Sequence, residues 1–288
     1  MVIVKIWGGI GNQLFQYIFG EYLRYCFKQD VKYDGNAFIS TEKERKRELE
    51  CIDPNIQYDN RFKFSKYRGV KGRLMRLLFQ INPKHIFIKE DIYGNGSREG
   101  EIIKNLDPNK LYYFSGYWQD VKYYNLLRSK CPDFKIKSLD IPEELLDLRE
   151  DIIQEERSLS IHIRRGDYFS PKNINIYGVC DESYFRRAFE IIKERVSVNK
   201  IYIFSDDLDW VRSNLSFDSS VVFVPNYDVA QFNYIELMSL CKHHIISNSS
   251  FSWWGAVLNS NDNSVVVSPS RWLLTSEKTI ALDCWIKV

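Results

Sequence analysis

No run of apolar residues in this 288-residue chain is long enough to cross a bilayer. The first residues, Met1-Val2-Ile3-Val4-Lys5-Ile6, lack the basic region and long apolar run of a leader, so they read as the first strand of the fold. A charge excess is also missing. The net charge is +2, which gives no reason to expect a nucleic-acid partner. Cysteines stand at 26, 51, 131, 180, 241 and 284, with no Cys-x-x-Cys pair and no histidine spacing suited to zinc. Most fall inside apolar runs, which predicts buried, reduced thiols in a cytoplasmic protein. There is no internal repeat and no low-complexity tract. What is present, 44% hydrophobic and 15% aromatic residues, predicts a well-cored globular protein of one large domain or two ordinary ones.

Two halves emerge, 1–155 and 156–288. In the second, strand-like runs at 159–163, 200–205, 221–224, 244–247 and 264–268 alternate with helical runs at 183–196, 207–214, 231–241 and 250–259. That alternation predicts βαβ units and a mostly parallel, doubly wound sheet. Ligands of such sheets bind beyond the carboxyl ends of the strands. Here those ends run into His162-Ile163-Arg164-Arg165, Asp206-Asp207, Pro225-Asn226 and Asn248-Ser249-Ser250, so the polar chemistry converges on one rim. The first half opens alike, with a strand at 2–7, a glycine loop at 8–11 and a helix at 12–29. Regularity fades over the basic stretch 41–76, which includes Lys43 to Arg47 and Lys63 to Arg76, and returns at Leu111–Ser115, followed by Gly116-Tyr117-Trp118-Gln119-Asp120. Residues 131–143, with two prolines, read as part of the connection between halves.

Each motif has a plain structural alternative. Arg164-Arg165-Gly166-Asp167 suits a diphosphate, since guanidinium pairs two oxygens at once, but it also suits a surface ion pair. Gly9-Ile10-Gly11-Asn12-Gln13 fails as a dinucleotide fingerprint, because Leu14 holds the third glycine's place. It leaves a loop where backbone approaches a ligand, with Asn12 as a helix N-cap. Asp207 and Asp209 fit an Asp-x-Asp metal clamp. In the alternative, Asp206 caps the following helix and Asp209 supports its first turn. His243 and His244 are adjacent on a strand and face opposite ways, which argues against a His-His metal site. Asn248, Ser249 and Ser250 read as a helix cap and a second anion seat, ahead of a core of Phe251, Trp253 and Trp254.

Five segments occur together and in order. They are Gly8-Gly9-Ile10-Gly11-Asn12-Gln13-Leu14-Phe15-Gln16-Tyr17, Gly116-Tyr117-Trp118-Gln119, His162-x-Arg164-Arg165-Gly166-Asp167-Tyr168, Phe204-Ser205-Asp206-Asp207, and Leu237 to Gly255. In this combination the chain resembles the bacterial α-1,2-fucosyltransferases, glycosyltransferase family 11. The resemblance implies an α/β GT-B-like fold of two Rossmann-like domains with mostly parallel sheets facing a cleft. The acceptor side would be in 1–155 and the donor side in 156–288. It further implies GDP-fucose as donor, a β-galactoside acceptor, inversion at the anomeric carbon, and no required metal or other cofactor. Carried over by position, Arg164 holds the β-phosphate and Arg165 adds charge. His162 and Asp206 lie near the nucleoside, Gly9, Gly11 and Asn12 approach the donor, and Asn248, Ser249, Ser250 and Phe251 line the phosphate seat. Gln13, Trp118, Gln119, Asp120 and Asp167 are the acceptor-side candidates. One departure stands out: similar sequences often carry an acidic residue, a candidate guanine partner, where this chain has Tyr234, and the nearby Glu236 falls on another helix face.

Three functions remain open to the sequence. The first is a metal-independent fucosyltransferase acting on a surface glycan. The second is a metal-dependent sugar-nucleotide transferase or hydrolase using Asp207 and Asp209. The third is a nucleotide- or glycan-binding module without catalysis. The basic stretch 61–76 has two readings of its own: a solvated helix face, or a surface resting on an anionic membrane or a lipid-linked glycan.

Overall fold

The computed structural model describes residues 1–40, 45–67, 69–90, 98–169, 174–275 and 279–288. The chain divides into two compact units, Met1–Leu139 and Asp140–Val288. The first contains β1 (Val2–Lys5), α1 (Ile10–Phe27), β2 (Val31–Asp34), α2 (Ala37–Ser40), α3 (Gly69–Gln80), β3 (His85–Lys89), α4 (Arg98–Lys104), β4 (Leu111–Ser115) and α5 (Val121–Lys130). Its described strands form a parallel sheet in the order β2-β1-β4-β3. The basic stretch left unassigned by the sequence holds α3 and two short 3-10 turns, Leu49–Cys51 and Lys63–Lys66, while Lys43 lies outside the described residues.

The second unit runs α6 (Leu146–Gln154), β5 (Ser158–Ile163), α7 (Ile174–Tyr177), α8 (Glu182–Lys193), β6 (Lys200–Ser205), α9 (Leu208–Asn214), β7 (Ser220–Phe223), α10 (Phe232–Leu240), β8 (His243–Ile245), α11 (Ser250–Val257), β9 (Val266–Ser268) and β10 (Ile286–Lys287). All its described strands are parallel, in the order β10-β9-β8-β5-β6-β7. The expected doubly wound sheet is therefore present. The division falls earlier than 155, because α6 belongs with the second sheet. Asp151 on α6 accepts hydrogen bonds from Lys200 Nζ at 2.6 Å and Tyr202 Oη at 2.8 Å, both on β6.

β5 shows how the sequence sorts its two faces. Leu159, Ile161 and Ile163 alternate onto one face and pack with Phe185, Ala188 and Ile192 of α8, all fully buried. Burial is worth roughly 1.5–3 kcal/mol for each such large side chain. Ser158, Ser160 and His162 take the other face. It too is buried, so its polar groups need partners. Ser158 Oγ accepts from the Lys242 N–H at 3.1 Å, and Ser160 Oγ lies 2.7 Å from His244 Nδ1. Burial holds His244 neutral, with its pKa down at about 3. His243 accepts from the Val265 N–H instead, as opposite facing requires. The thiols depart from expectation. All six are free, but only Cys241 is buried, four are half-buried and Cys284 is exposed. Cys26 and Cys131, for example, sit at helix ends, where an apolar sequence neighbourhood does not guarantee an inward direction. No described helix is long and apolar enough to cross a membrane.

Candidate functional site

In each sheet the chain reverses its winding direction beside the first strand. The second unit adds β6 and β7 on one side of β5, then returns to place β8 on the other. The crevice beyond the carboxyl ends of β5 and β8 is therefore the expected ligand seat. Two motifs far apart in sequence meet there, through contacts between residues 83 and 85 positions apart. Ser247, just after β8, donates its hydroxyl proton to His162 O at 2.6 Å and accepts from the Arg164 N–H at 3.1 Å. Its hydroxyl thus clamps the arginine loop to the start of the α11 turn. From the sequence alone Ser247 reads only as the end of a strand.

The two arginines differ in kind. Arg164 Nη1 pairs with Asp206 Oδ2 at 2.9 Å, with the two side chains 29% and 27% exposed. Arg165 is only 14% exposed, with Nε 3.2 Å from Asp207 Oδ2. Its guanidinium lies 3.7 Å from the Trp210 ring centre and 4.5 Å from that of Phe169. Arg165 is thus wedged between aromatic rings, whereas Arg164 keeps more access to solvent. Asp206 also accepts from the Arg165 N–H at 2.9 Å. Gly166 makes this possible, since a β-carbon there would stand 2.6 Å from Asp206 Oδ2. The expected Asp206 helix cap is replaced: Asp207 caps α9, accepting from the Trp210 N–H at 3.1 Å, and Asp206 braces the arginine loop. Asp209 is fully exposed and pairs with Arg212. The Asp207 and Asp209 carboxylates are thus engaged by different neighbours, and among the described residues no three His, Cys, Asp or Glu groups converge as a metal cage. The side chain of Asp167 lies outside the described residues.

His162 closes the inner wall. It is buried, its ring centre 5.2 Å from that of Phe251, and its Nδ1 has no hydrogen-bond partner among the described residues. Burial, reinforced by the Arg164 charge, lowers its pKa to about 3, so the imidazole is neutral. Ser249 caps α11 by accepting from the Phe251 N–H at 3.3 Å, leaving Ser250 at the first helical position, where backbone N–H groups favour an anion. Asn248 has a structural job. Its amide donates to Tyr177 O at 2.8 Å and Trp272 O at 3.3 Å, so it anchors the turn. Tyr234 is committed as well. Its hydroxyl accepts from the Tyr227 N–H at 2.7 Å and donates to Pro225 O at 3.0 Å, fixing the loop after β7.

In the first unit the winding reverses between β1 and β4, and again two motifs meet. Helix α1 begins at Ile10, with Gly9 as a cap that has no side-chain bond, so Asn12 is not the N-cap. Asn12 sits in the first turn and accepts from Gln119 Nε2 at 2.8 Å. Gln16 bridges the same loops, accepting from the Trp7 N–H at 2.9 Å and donating to Gly116 O at 3.3 Å. Trp118 is buried, stacks on Phe19 at 4.2 Å, and adopts a φ of 56°. A bulky residue in left-handed backbone costs on the order of 1–3 kcal/mol, a strain that clusters at ligand-handling loops. Gln13 is buried and donates to Gly8 O and Lys46 O, which makes it scaffold. Asp120 caps α5 through the Lys122 N–H. Glu90, missed in the sequence because no motif surrounds it, accepts from the Tyr117 N–H at 2.6 Å. A separate cavity of about 220 Å³ in this unit is lined by Lys5, Phe64, Tyr67, Arg76, Phe87 and Tyr113, among others.

Residues 77–286 match the model of glycosyl transferase family 11. The Escherichia coli O-antigen biosynthesis glycosyltransferase WbnK is 30% identical, over 98% of this chain and 98% of its own length. An Escherichia coli alpha-1,2-colitosyltransferase is also 30% identical, over 100% of this chain and 99% of its own. Among solved structures, the NodZ alpha-1,6-fucosyltransferase co-crystallized with GDP superposes with a TM-score of 0.52 at 12% identity, covering 89% of this chain and 91% of that one. That last likeness is one of fold: two Rossmann-like α/β units of the GT-B type.

Proposed function

Because the chain belongs to glycosyl transferase family 11 and is a glycosyltransferase, we propose that it transfers L-fucose from GDP-fucose to the 2-hydroxyl of a terminal β-galactoside in a surface glycan. Inversion at the anomeric carbon gives the α-1,2 linkage. The observation that carries this reading is the Arg164 guanidinium, braced by Asp206 at the β5/β8 crevice, on the rim that also holds the N-terminus of α11. Departure of GDP places developing charge on the β-phosphate. A guanidinium held in advance and helix N–H groups stabilise that charge without reorganising, and in many enzymes such electrostatic stabilisation supplies most of the rate enhancement. Neutral His162 adds no competing positive charge beside Arg164. Its buried Nδ1, without a hydrogen-bond partner among the described residues, suits a polar group of the bound nucleoside. Arg165, stacked and paired, holds the loop in shape.

The reading needs no metal. The phosphate charge is met by guanidinium and backbone, and Asp207 is occupied by the α9 cap and Arg165. The acceptor falls to the first unit. There Gln119, held in place by Asn12, the strained Trp118 turn and the aromatic-walled cavity offer the mix of apolar faces and fixed polar groups that sugars take. The resemblance of the motifs to the fucosyltransferases favours fucose. The 30% identity to a colitosyltransferase supports a second reading, transfer of colitose, which is fucose without its 3-hydroxyl. A donor panel separates them. With lactose as acceptor, GDP-fucose gives product and GDP-colitose much less. A site built to bond the extra hydroxyl discriminates strongly against its absence. Preference for GDP-colitose replaces fucose by colitose, and turnover only with UDP-sugars removes the guanine-nucleotide donor altogether.

A further inference from the structure

Helix α3 is apolar on two opposite faces, which burial in a protein core does not explain. Gly72 and Phe79 are buried, and Met75 packs with Phe64, Phe79 and Tyr113 against the sheet. On a helix at 100° per residue, Val70, Leu74, Leu77, Leu78 and Ile81 fall within a single arc of about 100° on the other side. All five are exposed, from 55% at Leu74 to 73% at Ile81 and 85% at Val70. A row of large aliphatic side chains facing water marks a surface that something else covers.

Charge identifies what covers it. Between Asp59 and Glu90 the sequence has no acidic residue, while Arg61, Lys63, Lys66, Arg68, Lys71, Arg73, Arg76, Lys84 and Lys89 are all basic. This segment is far more basic than a chain whose net charge is only +2. Lys71 and Arg73 flank the apolar arc, one on each side, and both are exposed. An aliphatic strip edged by cations is the pattern that lies in the plane of an anionic bilayer, with the aliphatics below the headgroups and the cations among them. We propose that α3 docks the protein peripherally on an anionic lipid surface through Val70, Leu74, Leu77, Leu78 and Ile81, with Lys71 and Arg73 paired to headgroups. None of the five docking residues lines the cavity offered to the acceptor, to which α3 gives Gly69, Gly72 and Arg76 from its other side.

Flotation of the full chain with lipid vesicles tests it. Phosphatidylglycerol mixed with phosphatidylethanolamine carries the charge, and pure phosphatidylcholine is the control. Wild-type protein floats with the anionic vesicles, and high salt weakens the association. Lys71→Ala or Arg73→Ala each lowers the partition coefficient about fivefold, from the ~1 kcal/mol that one basic residue gains near an anionic surface. Leu74→Asp with Leu78→Asp abolishes flotation. These side chains point away from the core, so the melting temperature and transfer to soluble lactose stay at wild-type values, which separates this surface from the catalytic reading. Equal flotation with both vesicle types, or anionic flotation that survives the double Asp variant, overturns the proposal. So does a wild-type dimer that the double variant dissociates and that binds no vesicle, since the face then belongs to a second copy of the chain.

Discussion

Replacing Arg164 and Arg165 one at a time by alanine should produce two opposite phenotypes. Arg164 pairs with Asp206 at 2.9 Å, but both side chains are more than a quarter exposed. Such a pair is worth no more than about 1 kcal/mol after screening. Arg164→Ala therefore lowers the melting temperature by roughly 2–4 °C. Turnover is another matter. Losing one preorganised donor to a developing anion costs on the order of 100-fold or more, equivalent to about 2.7 kcal/mol of barrier. Arg164→Lys recovers little, because an ammonium does not reproduce the planar two-point contact. Arg165 is 14% exposed and wedged between Trp210 and Phe169, with Asp207 at its edge. Its removal forfeits about 2 kcal/mol of cation–π and packing energy and lowers the melting temperature by roughly 4–8 °C. What remains folded turns over within about tenfold of wild type, a bound on rearrangement of the loop. Scanning fluorimetry and initial rates on all three variants decide the matter. A stable Arg164→Ala protein with near wild-type transfer refutes the phosphate role. A strongly destabilised Arg164→Ala beside an inactive but stable Arg165→Ala reverses the assignment.

Gly166→Ala sets a β-carbon against Asp206 Oδ2 and displaces the arginine loop, so turnover falls by at least ~10-fold with little change in melting temperature. Unchanged turnover would show that the loop is not under tight positional control. GDP raises the melting temperature by mass action and UDP does so much less. With Tyr234 occupied in holding the Pro225–Tyr227 loop, equal shifts would mean that the base is not selected here. Burial depresses the pKa values of both His162 and His244 to about 3, below the unfolded value near 6.5. The unfolded chain then binds more protons between these pH values. Stability is full above pH ~6.5 and declines as pH falls toward ~3, by up to about 1.4 kcal/mol per pH unit for each histidine. Urea midpoints between about pH 6.5 and 5 read this effect, to which His243, also lowered by burial, adds and the buried Glu21 carboxyl, raised by burial, works in the opposite sense. A flat profile there would contradict the buried neutral imidazoles.

The second unit was largely legible because its strands and helices carry strong local signals. β5 alternates Leu159, Ile161 and Ile163 against Ser160 and His162, and α8 places its apolar residues at helical spacing. The convergence of the arginine loop with the Ser247–Ser250 turn followed from strand ends alone. Caps were less legible, because they depend on a shift of one or two residues. Asp207 rather than Asp206 caps α9, and α1 starts two residues before Asn12. Those shifts change roles, since they free Asp206 for Arg164 and Asn12 for Gln119. Tertiary partners were not legible at all. Nothing local announces that Glu90 would meet Tyr117, or that Ser247 would bridge two strands. The two-faced apolar pattern of α3 hid its identity, because aliphatic residues on all sides blur the periodicity that reveals a helix.

We propose transfer of fucose, without metal, to a galactose 2-hydroxyl. Its most direct test is incubation of the protein with GDP-fucose and lactose in excess EDTA, followed by isolation of any trisaccharide and assignment of its linkage and anomeric configuration by NMR. The expected result is a single product bearing α-fucose on the 2-hydroxyl of galactose, formed at the same rate with and without EDTA. A product linked elsewhere or with β configuration contradicts it, as does activity that disappears in EDTA and returns with manganese or magnesium.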